Sequence, residues 1–164
     1  MSLHTYYGGL QMLTHDRKFT NLHATIWFRN DCTTDLYEEV VKEFTNICQM
    51  LKGCSAKITE YTFLGPIEVC LLEIENDNNN IHEYLSSFSN KYSFRKNLDV
   101  QFSFCLHTSK GDSKSTRLDK VKEYQENCEV IEQNGGIGSI LIFDDGYIKD
   151  MDSKEIVYTT KKIE

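Results

Sequence analysis

The chain has 164 residues, 40% of them hydrophobic and 26% charged, enough apolar material for one sizeable core and too little length for two independent domains. Its net charge of −7 excludes a surface that coats long nucleic acid, because such binding comes from neutralising many phosphates. The longest apolar runs, Ile137 to Phe143 and Val69 to Leu72, fall far short of the roughly 20 residues that cross a bilayer.

The segment Met1-Ser2-Leu3-His4-Thr5-Tyr6-Tyr7 has neither a basic n-region nor an unbroken apolar run, so nothing in it reads as a secretory signal, and the expected location is cytoplasmic. Cys32, Cys48, Cys54, Cys70, Cys105 and Cys128 are scattered without a CxxC pair, the pattern of free thiols rather than of disulfides or a zinc site. His4, His15 and His82 have no partner at metal-ligand spacing and read as surface residues.

The first expected element is a strand over Leu22 to Phe28, whose period-2 geometry places His23, Thr25 and Trp27 on one face. Arg17, Lys18 and Arg29 flank it as possible phosphate donors. A helix follows over Asp35 to Lys52, with Asp35 and Glu38 at capping-box spacing, a stripe of Leu36, Val40, Phe44, Ile47 and Leu51, and Gly53 as its stop. Strands are expected at Ala56 to Phe63 and Ile67 to Ile74 around a Leu64-Gly65-Pro66 turn, then a loop through Asn76-Asp77-Asn78-Asn79-Asn80 and a helix over Ile81 to Tyr92. Val100 to Ser109 alternates as a strand, with Phe102, Phe104 and Leu106 on one face and Cys105, His107 and Ser109 on the other. A charged helix over Ser115 to Glu129 leads to Asn134-Gly135-Gly136. Beyond it a hairpin is expected between Ile137 to Phe143 and Tyr147-Ile148 around Asp144-Asp145-Gly146, with a last strand at Glu155 to Thr160. The Gly135-Gly136-Ile137-Gly138 cluster lacks both GxGxxG and a Walker lysine and reads as a turn. Turn-linked neighbouring strands favour antiparallel pairing, so the class is α+β, in a single domain over residues 1–164.

Two segments share a form that carries chemistry. His23-Ala24-Thr25 and His107-Thr108-Ser109 each place an imidazole and a hydroxyl on one side of a strand. An imidazole titrates near pH 6.5, so one histidine can accept a proton while another donates one, as in-line displacement at phosphorus requires. The hydroxyls of Thr25 and Ser109 would donate to non-bridging phosphate oxygens. Neither a metal nor a cofactor is needed by that chemistry. Trp27, Tyr6 and Tyr7 offer aromatic faces for base stacking, with core packing as the competing role; Trp27, Tyr6 and Arg29 are the expected substrate-binding residues.

In the order of these elements the chain resembles the two-histidine phosphoesterase superfamily, which includes bacterial 2′,5′ RNA ligase-like proteins, cyclic phosphodiesterases and viral 2′,5′-phosphodiesterases. The resemblance rests on Leu22-His-Ala-Thr-Ile, on Thr62-Phe-Leu-Gly-Pro-Ile-Glu-Val-Cys-Leu-Leu-Glu-Ile with the helix around Ile81 to Phe88, and on Phe104-Cys-Leu-His-Thr-Ser. Leu106 stands where the family often has proline, and Ser109 where it commonly has threonine. The resemblance implies two pseudo-symmetric lobes of antiparallel sheet with outer helices and a central cleft. It also implies catalysis by His23, Thr25, His107 and Ser109, acting on 2′,5′-linked oligonucleotides, with 2′,5′-oligoadenylate foremost, or on 2′,3′-cyclic phosphates. The implied partner is a short oligonucleotide or cyclic nucleotide, bound by a monomer, with no membrane and no long duplex involved. The alternatives are a nucleotide- or RNA-binding module of the same fold without turnover, and an unrelated interaction domain whose two histidines lie far apart.

Overall fold

The computed structural model describes residues 3–64, 67–75, 77, 80–92, 106–112 and 118–161. In chain order the elements are β1 (His4–Thr14), β2 (Phe19–Cys32), α1 (Thr34–Leu51), β3 (Ser55–Leu64), β4 (Ile67–Ile74), α2 (Ile81–Tyr92), β5 (His107–Asp112), α3 (Leu118–Gln133), β6 (Ile140–Asp150) and β7 (Glu155–Thr159). The strands form one antiparallel sheet in the order β1-β2-β5-β4-β3-β6-β7. Because β6 also pairs with β1, the six strands from β1 round to β6 close into a ring, with β7 added on β6. The expected α+β class with antiparallel pairing is what the chain adopts. None of the described helices is long and apolar enough to cross a membrane.

The helical stripe read from α1 becomes its buried face: Val40, Phe44, Ile47 and Leu51 all enter the core, joined by Cys48. The helix starts one residue earlier than expected, and its N-cap is Thr33, whose hydroxyl accepts from the Leu36 amide at 3.2 Å. The Asp35/Glu38 capping box is therefore not used, because a hydroxyl just upstream already satisfies the end. Gly53 follows with φ of +84°, the left-handed conformation that glycine adopts without strain. Both carboxylate oxygens of Asp77 accept from the start of α2, at the amides of Ile81 and His82, which explains why the polar segment before that helix ends it cleanly.

Three expectations are corrected. No element was expected before Leu22, yet β1 runs over eleven residues; its Gly8-Gly9 pair weakens the strand signal. The hairpin around Asp144-Asp145-Gly146 does not form. Gly146 lies inside the continuous strand β6, opposite Leu10 of β1, and a Cβ there would collide with the Cys48 sulfur of α1, so glycine marks a close helix–sheet approach rather than a turn. The reversal instead comes at residues 151–154 between β6 and β7, where the Asp150 carboxylate accepts from the Asp152 and Ser153 amides. Finally, α3 extends to Gln133 and is closed by the Gly135 and Gly136 amides bonding back to Glu132 and Ile131. The Gly65-Pro66 turn, Ser115, Cys105 and most of the Val100 to Ser109 strand lie outside the described residues.

The core fills one face of the sheet. Leu10, Met12, Leu22, Ala24, Ile26, Cys70, Leu72, Leu141, Phe143 and Ile148 pack there with the apolar faces of α1 and α2. Burial pushes the Cys48 and Cys70 thiols up to about 12, so both stay protonated at neutral pH, as expected of structural thiols. Trp27 joins this face against Phe44, with ring centroids 6.2 Å apart. Gly8 makes room for it: a Cβ at Gly8 would lie 2.7 Å from indole Cδ1 and closer still to Nε1.

Gly8→Ala should lower stability by about 1–3 kcal/mol, the usual cost of overpacking a filled core. In urea melts this reads as a lower midpoint with an unchanged slope. An unaltered midpoint would contradict the indole–backbone contact.

Candidate functional site

The two motifs meet in adjacent strands. Ala24 of β2 is the antiparallel partner of Thr108 of β5, and the Thr108 hydroxyl donates to the His23 carbonyl at 2.8 Å. Both central residues are buried on the core face, at 0% and 1% exposure. In an antiparallel ladder the residues on either side then face one another, so His23 lies across from Ser109 and Thr25 across from His107. Period 2 puts all four on the face opposite the core, where each is half-buried. Sheet geometry makes His23 and His107 diagonal neighbours, roughly 7–8 Å apart. The charge of His107 acts on His23. The reading in which the histidines are distant and coincidental predicts the opposite placement.

Neighbouring strands extend this face. Gln11 of β1 pairs with His23 and Gly9 with Thr25, and Gly9 pairs on its other side with Tyr147 of β6. Glycine between Thr25 and Tyr147 leaves the floor of the face without a side chain, and a Cβ there would stand 2.8 Å from the Ala24 carbonyl oxygen. Tyr7 and Tyr147 bracket His23, with ring centroids 5.9 and 6.1 Å from the imidazole and their own hydroxyls 3.2 Å apart. Burial and the neighbouring Tyr7 push the Tyr147 phenol well above its ordinary range, which keeps it a neutral hydrogen-bonding group.

His23 is held below the ordinary histidine range. Burial contributes most; a hydrogen bond with the backbone at Asn21 and the Glu123 carboxylate of α3 oppose it, while Lys149 and His107 add to it. Desolvation and the neighbouring Lys149 and His107 disfavour the imidazolium, so His23 is predominantly neutral at pH 7 and disposed to accept a proton. Lys149 follows Tyr147 by two residues on β6 and is half-buried. It brings a cation to the site that sequence patterning did not single out.

The expected substrate-binding residues lie elsewhere. Gly8 pairs with Trp27 and Gly9 with Thr25, leaving Ile26 as the extra residue of a β-bulge. The bulge slips the alternation by one and turns Trp27 into the core at 2% exposure, away from the face of His23 and Thr25. Tyr6 goes the same way, its ring centroid 4.6 Å from that of Tyr37 of α1 with the planes tilted by 38°. Arg29 donates to the Tyr92 carbonyl at the end of α2 at 3.0 Å. Of the aromatic residues considered, Tyr7 is the one at the histidine face. Lys18 sits beside Asp16 at 3.4 Å on the exposed β1–β2 turn.

Two other histidines have partners invisible in sequence. His15 Nδ1 lies 2.8 Å from Asn134 Oδ1. His4 Nδ1 lies 3.0 Å from Asp150 Oδ2 and 4.0 Å from Asp152 Oδ2, the one group among the described residues whose ligand atoms converge closely enough for a cation. Asp150 already accepts two backbone amides in the β6–β7 turn, a role that accounts for its conformation.

Following the His23 ring protons by NMR across pH should give a midpoint below 6.5. Lys149→Met should raise it and Glu123→Gln should lower it, each by removing one of the opposing charges. A midpoint at or above 6.5 in the unsubstituted protein would contradict the burial and charge arrangement. No protein-family model matches this chain and no curated protein matches it.

Proposed function

We propose that the chain is a metal-independent phosphodiesterase that cleaves 2′,5′-linked oligonucleotides or opens 2′,3′-cyclic phosphates. The observation that carries this reading is the Ala24–Thr108 register, which assembles two imidazoles and two hydroxyls on one sheet face at a spacing that admits one phosphate. A binding module has no need of two histidines in that relation.

On a 2′,5′ linkage, neutral His23 takes the proton of the adjacent 3′-hydroxyl and the 3′-oxygen attacks phosphorus. The bond from phosphorus to the 5′-oxygen breaks, and His107, protonated, delivers its proton to that oxygen. The products are a 2′,3′-cyclic phosphate and a free 5′-hydroxyl. Thr25 and Ser109 donate to the non-bridging oxygens, and Lys149 offsets the charge that grows on them. On a cyclic phosphate, water replaces the 3′-hydroxyl as nucleophile. Assigning the base to His23 follows from its depressed proton affinity; the roles exchange when the reaction runs backward.

The two pseudo-symmetric lobes of the resembled family belong to this proposal. Its support is local: strand-borne motifs of the same form meet antiparallel about their central residues, as a two-fold relation between lobes requires.

The test is a substrate panel of 3′,5′-linked, 2′,5′-linked and 2′,3′-cyclic nucleotides in EDTA, with products followed by chromatography. Cleavage should survive chelation, and His23→Ala and His107→Ala should each lower kcat/KM by about 10²–10⁴-fold. The acid limb of the kcat/KM profile should fall below pH 6.5, since protonating His23 removes the base. Binding without turnover would replace this reading with the binding-module one, and turnover of the cyclic substrate alone would exclude the 2′,5′-linked substrates.

A further inference from the structure

The histidine face continues beyond the catalytic groups into a groove of about 390 Å³. Its sheet wall is lined by Gln11, the cross-strand partner of His23, and by Phe19, Thr20 and Asn21; Phe19 and Asn21 alternate with the buried Thr20 and Leu22 and so share the face of His23. Its other wall is α3, which contributes Glu126, Glu129 and Gln133. Their spacing of three and four residues defines one helix face, and one turn upstream on that helix Glu123 acts on His23 by its charge. One helix face thus borders both the acid–base pair and the groove.

The chemistry of this groove differs from that of the histidine face. Phe19 is 74% exposed, a large ring presented to solvent at the groove's edge. Glu126 and Glu129 are exposed carboxylates, and among the described residues no lysine or arginine lines the groove with them. Such a lining repels phosphate and receives N–H donors. Side-chain amides at Asn21 and Gln133 can both donate and accept.

We infer that the groove is a nucleobase subsite that selects bases carrying an exocyclic amine. The base lies against Phe19, as bases stack on aromatic side chains in single-strand recognition, and its amine donates to Glu126 or Glu129. Adenine, cytosine and guanine each carry such an amine; uracil presents only carbonyl oxygens at those positions and meets the carboxylates unfavourably there. This assignment rests on the phosphodiesterase reading for its orientation, because the scissile phosphate would sit at the histidine pair with one flanking nucleoside running along β2 toward Phe19.

Nucleosides test the subsite without any reaction. Adenosine, uridine and inorganic phosphate are titrated separately into the ¹⁵N-labelled protein, its Phe19→Ala variant and its Glu126→Gln/Glu129→Gln variant. Adenosine should shift the amides of Phe19, Asn21 and Gln133 at lower concentration than uridine, and inorganic phosphate should leave them in place. Phe19→Ala, at an exposed position that the fold does not need, should weaken adenosine binding about tenfold, within the range of base stacking on an aromatic ring. The double variant should lose the preference for adenosine over uridine. Equal shifts from the two nucleosides, or adenosine binding untouched by Phe19→Ala, would overturn the subsite. Cleavage of a 2′,5′-linked diadenylate with the same KM in Phe19→Ala would overturn it while leaving the two-histidine chemistry standing. Adenosine binding in the groove of a protein that cleaves nothing would support the subsite and contradict that chemistry.

Discussion

The pairing of Ala24 with Thr108 is the constraint on which the site depends. A small buried residue and a buried threonine, the latter tied to the neighbouring strand through the His23 carbonyl, occupy the core face of two adjacent strands. The pleat then leaves the flanking His23, Thr25, His107 and Ser109 no choice but the other face. A one-residue slip of β5 against β2 would turn His107 and Ser109 under the core and expose Thr108 in their place. Core packing and site geometry are therefore the same requirement, since the apolar face that anchors Leu22, Ala24 and Ile26 also sets which way the histidines point.

Around that register the environment acts strongly on His23. His23 is enclosed by Tyr7 and Tyr147 and feels Lys149 and His107 on one side and Glu123 on the other. Burial dominates, and the result is a neutral imidazole at physiological pH. The closing of β1 onto β6 supplies much of this environment, because it brings Tyr147 and Lys149 within one strand of β2, which holds the first motif.

Much of the architecture was legible in the chain. The stripe of Val40, Phe44, Ile47 and Leu51 is the buried face of α1, and the bounds read for Ile67 to Ile74 and Ile81 to Tyr92 are those of β4 and α2. The two histidine-x-hydroxyl motifs were legible as strand-borne and as facing one way. What failed did so for local reasons. Trp27 obeys period 2 on paper, but the bulge at Ile26 shifts it to the core face, and a bulge has no sequence signature beyond the Gly8-Gly9 pair across from it. Gly146, read as a turn residue, is a contact with Cys48 that exists only once α1 is docked. Tyr147 and Lys149 were invisible as site residues because they are far from either motif in sequence and reach it through the β1–β6 pairing.

A double-mutant cycle on 2′,5′-diadenylate cleavage, comparing His23→Ala, His107→Ala and the combined variant, tests most directly whether the two imidazoles act as one acid–base unit. Groups that work as a unit are strongly non-additive, so the combined variant should be no slower than the slower single variant. Losses that multiply, or cleavage that persists in either single variant at the unsubstituted rate, would contradict the account.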